Sequence, residues 1–116
     1  MSEAMPPHHY QLVLCTCPDH ATAQGIAAHL VDKGLAACVN ILPGLESVYR
    51  WQGRRESAQE HLLLIKTTHS VYPQLQQAII QQHPYELPEV IAVPINSGLS
   101  GYLKWIDDSV SQHQPG

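Results

Sequence analysis

Charged residues are scarce in this sequence, and basic ones are the scarcest. Only 14% of the 116 residues are Asp, Glu, Lys or Arg, against about 25% in a typical soluble protein. The six Lys and Arg residues and the net charge of −4 argue against nucleic acid or an anionic membrane as a partner. Glutamine around residues 74–82 and burial in an oligomer are expected to cover part of the surface in place of charge.

Long apolar runs are also missing, and we expect no secretory leader. No run is long enough to span a bilayer, and the start of the chain lacks the basic and apolar regions of a signal peptide. We therefore expect a cytoplasmic protein. The 3 cysteines should be reduced in that compartment, and an odd number fits free thiols better than a disulfide framework.

Familiar catalytic motifs are absent. The sequence has no phosphate-binding glycine loop, no HExxH, no CxxC and no GxSxG. We therefore expect a protein that is not an enzyme. Proton transfer by His83 with Glu86 or Glu89 stays open as an alternative, although nothing in the sequence names a substrate for it.

Hydrophobic periodicity divides the chain into one domain at 10–110, with tails at 1–9 and 111–116 that we expect to be disordered. The predicted segments, in order, are a strand at 10–17, a helix from its N-cap Asp19 to Lys33, a strand at 35–51 with a bulge at Pro43 and Gly44, a hairpin turn at Gln52 and Gly53, a strand at 54–68, a helix at 69–82 capped by Ser70 with Pro73 in its first turn, a strand at 90–95 and a short helix around 102–110. Gly34 is expected to be the left-handed residue after the first helix.

The order β-α-β-β-α-β predicts an α+β fold, the ferredoxin-like sandwich, with both main helices on one face of an antiparallel sheet. The expected strand order is fourth, first, third, second. The long hairpin is polar and aromatic near its tip and apolar at its base. We expect it to project beyond the sheet, where its open edges invite pairing with another subunit.

A stiff polar loop, His83 to Glu89 with the sequence HPYELPE, follows the second helix. Its prolines keep His83 and Leu87 out of the helical region. Rigid loops crowded with polar groups often carry binding residues. In the alternative interpretation His83 only caps the helix, and Tyr85 and the glutamates only hold a turn or a subunit contact.

The topology places Cys15, near the end of the first strand, at the same end of the sheet as His83, and Cys38 at the opposite end. A site built from Cys15, His83 and a group of a neighbouring subunit is therefore possible. A thiolate with an imidazole suits copper or zinc rather than magnesium or calcium. Cys15 could equally be an inert buried thiol, and for Cys17 and Cys38 we favour that interpretation. We expect packing in the core or an interface for the aromatic side chains Tyr49, Trp51, Tyr102 and Trp105.

Several further residues are candidates for a cleft or an additional ligand: Cys38, Glu60, Lys66, Tyr85, Glu86 and Glu89. Glu60 is expected to be exposed or paired with a neighbour. Lys66 has a plain alternative as a solvated residue at a strand end.

Six motifs together resemble the CutA family of divalent-cation tolerance proteins. They are LCTCPD at 14–19, GLAACVNILPG at 34–44, YRWQG at 49–53, LLLIKTT at 62–68, HPYELPEVIAVPI at 83–95 and YLKWI at 102–106. The resemblance implies a cytoplasmic homotrimer, similar in architecture to PII signalling proteins, that binds copper and contributes to the response to divalent metal ions. It implies Cys15 and His83 as metal ligands and Cys38 as a less certain one. Some relatives have a second histidine where this chain has Gln82, a poorer ligand.

A second function of a different class stays open. The chain could be a PII-like trimeric sensor or scaffold whose clefts between subunits bind a small molecule or partner protein, with metal incidental. Loss of function with Cys15 and His83 would indicate the metal protein. Loss of function on disruption of the cleft or the trimer would indicate the scaffold.

Overall fold

The computed structural model of the chain describes residues 8–110, and its elements follow the predicted order. They are β1 (Tyr10–Cys17), α1 (His20–Asp32), β2 (Cys38–Trp51), β3 (Arg54–Thr68), a 3-10 turn (His69–Val71), α2 (Tyr72–Gln82), β4 (Ile91–Pro94) and α3 (Ser100–Ser109). None of the helices within residues 8–110 is both long enough and apolar enough to cross a membrane.

The sheet confirms the predicted α+β, ferredoxin-like topology. Its strand order is β2-β3-β1-β4, and each neighbouring pair is antiparallel. β1 lies between β3 and β4 over residues 11–14, and its last three residues, 15–17, pair with β3 alone. The end of β1 therefore extends past β4, where His83 contacts the Thr16 carbonyl.

Alternation along β1 and β3 separates a covered face of the sheet from an open one. Residues at odd positions, such as Val13 and Leu63, point to the face that α1 and α2 cover. The core on this face consists of Val13, Cys15, Cys17, Ala23, Ile26, Leu30, Ala36, Leu63, Ile65, Leu75, Ala78 and Ile79. Cys15 and Cys17 are therefore core residues, with no exposed surface.

The first helix begins and ends as its sequence predicts. The Asp19 carboxylate accepts a hydrogen bond from the Thr22 amide at 2.8 Å, and Gly34 has a φ of +69°.

The second strand, however, begins at Cys38 rather than Leu35. Its predicted start was wrong because the amides of Leu35 and Ala36 bond to the Leu30 carbonyl. The carbonyls left open at the end of α1 thus hold these apolar residues out of the sheet.

The hairpin of β2 and β3 makes the molecule 56 Å long and only 27 by 22 Å across. Gln52 and Gly53 both have positive φ, as a two-residue turn of the predicted kind requires. The register shifts between Leu42 and Leu45, which confirms the bulge at Pro43 and Gly44. The arm exposes apolar side chains, among them Val48 at 64%.

The second helix begins later and is capped differently than predicted. A 3-10 turn occupies 69–71, and α2 starts at Tyr72 with Pro73 in its first turn. Ser70 does not cap it, because the Ser70 hydroxyl is paired with that of Thr68 at 3.1 Å. Helix α2 ends as predicted, with His83 as an extended C-cap before Pro84.

The C-terminal helix α3 packs on the open face of the sheet and joins the start of β1. Ile106 and Val110 are fully buried. The Tyr10 hydroxyl donates to Asp107 at 2.5 Å, and His9 Nε2 lies 2.7 Å from the other oxygen of that carboxylate. Residues 1–7 and 111–116 of the two predicted tails fall outside the described residues.

We predict that Tyr10→Phe lowers the free energy of unfolding by about 1 kcal/mol near neutral pH, because one charge-assisted hydrogen bond is lost. Burial, followed by the bond to Asp107, raises the pKa of Tyr10 from 10.0 to about 12. The folded state therefore favours the neutral phenol. The difference between wild type and Tyr10→Phe should be constant from neutral pH to about pH 10 and shrink between about pH 10 and 12. Urea denaturation across this range measures it, and a difference that does not change with pH would contradict the prediction.

Candidate functional site

His83 joins the end of α2 to the end of β1. Its Nε2 lies 2.7 Å from the Thr16 carbonyl oxygen, and its Nδ1 lies 3.2 Å from the Tyr85 backbone nitrogen. A carbonyl only accepts and an amide only donates, so Nε2 carries the proton and Nδ1 the lone pair. The imidazole is 8% exposed, and both of its nitrogens are occupied by backbone partners.

Cys15, Cys17 and His83 form one cluster at this end of the sheet. Each offers one ligand atom, and these atoms all lie within 4.8 Å of one another. Cys15 and His83 are the two ligands that the resemblance implies. Cys17 was interpreted as an inert thiol, yet it lies with them, since residues two apart on a strand share a face. That alternation was visible in the sequence and could have identified Cys17.

The two thiols differ in acidity because they interact with each other. A hydrogen bond with Cys17 and burial raise the pKa of Cys15 above its ordinary value. The same bond lowers the pKa of Cys17, against an opposing effect of burial. Cys17 is therefore the thiol that loses its proton first.

This donor set fits a soft or borderline metal ion. Two sulfurs and one imidazole are ligands that copper and zinc prefer, and the group includes no oxygen donor of the kind magnesium and calcium require. A bound ion has to replace the thiol protons and one hydrogen bond of His83. The protein without metal is thus stabilised by the same groups that would hold the ion.

Cys38 and Lys66 lie elsewhere. They face each other across β2 and β3, with Lys66 Nζ 3.9 Å from Cys38 Sγ and also bonded to Asn40. Both residues lie on the open face of the sheet. Leu63 is the β3 residue that pairs with Cys15, and Lys66 lies three residues further along β3, a distance of about 10 Å. Neither can share an ion with Cys15 and His83 of the same chain.

A cleft of about 560 Å³ lies next to the cluster, between the HPYELPE loop and the hairpin arm. Its lining residues are Thr16, Ser47, Val48, Tyr49, Trp51, Glu60, Tyr85, Glu86, Leu87 and Glu89. Four of the predicted cleft residues, Glu60, Tyr85, Glu86 and Glu89, meet here, and Lys66 does not. The carboxylates, with neither Lys nor Arg in the lining, favour a cationic occupant over an anion.

Glu60 is buried rather than exposed, which corrects the first of the two alternatives given for it. It is 7% exposed and accepts a hydrogen bond from the Tyr85 hydroxyl at 2.6 Å. Burial, and then this bond, raise the pKa of Tyr85, so the phenol stays protonated. The exposed alternative was wrong because a glutamate on a projecting strand is usually solvated, and sequence does not show that a distant loop folds over it.

The aromatic side chains assigned to a core or an interface are outside the core of the single chain. Tyr49, Trp51, Tyr102 and Trp105 are each at least 40% exposed. Packing in an interface stays a prediction for them. Trp51 and Tyr49 add aromatic surface to the cleft.

Residues 11–109 match the protein family described as CutA1 divalent ion tolerance protein. A Thermus thermophilus protein named divalent-cation tolerance protein CutA is 48% identical over 99 residues, which cover 85% of this chain and 96% of that protein. An Arabidopsis thaliana protein named "Protein CutA, chloroplastic" is 44% identical over 98 residues, 84% of this chain and 54% of its own. A solved structure of the divalent cation tolerance protein Cut A1 from Thermus thermophilus has a TM-score of 0.87 at 46% identity, covering 88% of this chain and 99% of its own.

We predict that Tyr85→Phe lowers the free energy of unfolding by about 1–3 kcal/mol, because the buried Glu60 carboxylate loses its donor. Tyr49→Phe, at an exposed tyrosine of the same cleft, is the control and should change it by less than about 0.5 kcal/mol. Chemical denaturation of the three proteins measures both effects. Equal stability of Tyr85→Phe and wild type would show that the bond to Glu60 contributes nothing net.

Proposed function

Because the chain belongs to the CutA1 family of divalent ion tolerance proteins, we propose that it binds copper at Cys15, Cys17 and His83 and takes part in the cellular response to divalent metal ions. It does so as a cytoplasmic homotrimer and without catalysing a reaction. The observation that carries the proposal is the group of two thiols and one imidazole within 4.8 Å of one another.

The metal is the protein's cargo, and the chain's own residues set how it is held. Cys15 and Cys17 would hold the ion as thiolates, and His83 would hold it through the ring nitrogen that gives up its backbone hydrogen bond. One site per chain limits storage to the concentration of the protein itself. A role in responding to metal therefore fits this site better than bulk sequestration.

The free thiols support a reducing compartment. Cys15, Cys17 and Cys38 are all unpaired, and such cysteines persist where glutathione and thioredoxin keep them reduced. We therefore propose the cytoplasm, while the Arabidopsis thaliana relative is named chloroplastic.

Exposed apolar surface supports the homotrimer. The arm exposes Val48 and Trp51 at 64% and 40%, and the edge strand β4 exposes Ile91 and Val93 at 50% and 39%. Long open edges with apolar side chains are surfaces that soluble proteins cover by pairing. The low content of charged residues, 14%, also supports burial of part of the surface in a homotrimer.

The second candidate function is a PII-like sensor or scaffold, and the acidic cleft of about 560 Å³ favours it. Its volume is typical of sites for small organic molecules. Carboxylates beside Tyr49 and Trp51 suit an organic cation. In this alternative the cleft is completed by a neighbouring subunit and metal is incidental.

We predict that the reduced protein, kept free of oxygen, binds Cu(I) at about one ion per chain and that Cys15→Ser and His83→Ala each weaken binding by at least about tenfold. Cys38→Ser is the matched control and should bind as wild type, because Cys38 lies on the other face. Calorimetric titration measures affinity and stoichiometry, with oligomer mass checked for every protein. If Cys15→Ser and His83→Ala bind as well as wild type, the metal assignment fails and the cleft becomes the leading candidate.

We also predict that Val48→Lys weakens the trimer, because a charged side chain replaces an apolar one on the arm. Val31→Lys is the control, since Val31 is 44% exposed on α1, away from the arm. Analytical ultracentrifugation over a range of concentrations should show smaller species for Val48→Lys only. Wild-type protein that sediments as a monomer at all concentrations would reject the trimer itself.

A further inference from the structure

The tip of the hairpin arm is the most basic part of the chain. Arg50, Arg54 and Arg55 supply three of its six Lys and Arg residues, and all three are exposed. Within residues 8–110 none of them forms an ion pair. Arg50 and Arg55 also lie directly opposite each other in the β2–β3 ladder, where like charges destabilise a hairpin. The tip therefore carries positive charge that an acidic partner would stabilise.

The cleft beside the arm has the opposite charge. Its lining includes Glu60, Glu86 and Glu89 and neither Lys nor Arg. Glu86 and Glu89 are exposed, and in the part of the chain that the structure describes they have no ion-pair partner. Three carboxylates in one concave surface attract a cation, and the chain does not supply one.

The chain's own arm does not place its basic tip in this cleft. Arg54 and Glu60 lie six residues apart on β3, which is about 20 Å along an extended strand. Tyr49 and Trp51 of the arm line the cleft, and alternation turns Arg50, which lies between them, to the opposite face. The outer face of the tip, with Arg50 and its cross-strand partner, is thus available to a second molecule.

An arginine side chain suits this cleft in chemistry and in size. A guanidinium group binds a carboxylate through two parallel N–H bonds and stacks on aromatic rings such as those of Tyr49 and Trp51. The cleft volume of about 560 Å³ is within the range of sites that hold ligands larger than one side chain. A hairpin tip with two arginines on one face therefore fits the site.

We propose that the arm tip of one copy of the chain docks in the acidic cleft of the next copy, where Arg50 and Arg55 pair with the exposed glutamates. The inference rests on the homotrimer of the proposed function and deepens it by naming a site that the partner copy completes. Because the tip and the cleft are different surfaces, the contact is heterologous, and heterologous contacts form rings when the rotation between copies closes. A ring of three copies gives every cleft one tip.

The test reverses the charge on each surface of the full chain and measures trimer dissociation by analytical ultracentrifugation at low salt. The arm variant is Arg50→Glu with Arg55→Glu, and the cleft variant is Glu86→Arg with Glu89→Arg. Each should raise the dissociation constant by about tenfold or more. A variant with all four substitutions should recover most of this loss, because the complementary charges are exchanged. Added salt should weaken association of the wild type.

Lys33→Glu with Lys104→Glu is the matched control. It changes the net charge by the same amount as the arm variant, at exposed positions outside the arm and the cleft lining. It should associate as tightly as wild type. A loss of association as large as that of the arm variant would assign the effect to net charge and overturn the docking.

The remaining outcomes separate the docking from the homotrimer. If the arm and cleft variants associate as tightly as wild type, or if the four substitutions together recover nothing, the tip does not meet the cleft and the homotrimer depends on other contacts. If wild type is a monomer at all concentrations, the docking and the homotrimer fall together. Neither result alters the copper assignment, which the titration of Cys15→Ser and His83→Ala decides.

Discussion

The hydrogen bond from His83 Nε2 to the Thr16 carbonyl, at 2.7 Å, is the interaction on which this end of the molecule depends. It fastens the end of α2 to the end of the central strand, and so sets where the HPYELPE loop starts. From that start the loop carries Tyr85 over Glu60, where its hydroxyl bonds the buried carboxylate. The thiol–imidazole cluster and the acidic cleft therefore share one support.

Because the cluster and the cleft both depend on the hydrogen bond between His83 and Thr16, the two candidate functions are physically linked. An ion that takes the Nδ1 lone pair of His83 displaces the Tyr85 amide, and the same residue anchors Glu60. If an ion displaced that amide, binding at the cluster would loosen the loop that forms the wall of the cleft, and by thermodynamic reciprocity a ligand that fixes the cleft would alter metal affinity by the same factor.

Local rules predicted most of the fold, and contacts between distant segments explain what they missed. Asp19, Gly34 and the Gln52-Gly53 turn are dictated by capping and positive φ, which sequence shows directly. The late start of β2 depends instead on the Leu30 carbonyl accepting from Leu35 and Ala36. In the site, alternation and topology were enough for Cys15 and His83. The burial of Glu60 arises only once the loop and β3 are packed together.

The cluster and the cleft differ in the cations they suit, and that difference follows from which face of β1 each residue occupies. Cys15 and Cys17, at odd positions, lie among core residues. An unpaired charge there would cost much free energy, whereas a protonated thiol is neutral. Thr16, one position along, points to the other face and lines the cleft with oxygen donors and carboxylates. A single strand thus separates soft ligands from hard ones by its two-residue period. A shift of register by one residue would exchange them, so the pairing of β1 with β3 and β4 fixes which face of the sheet carries the thiols and which carries the oxygen donors.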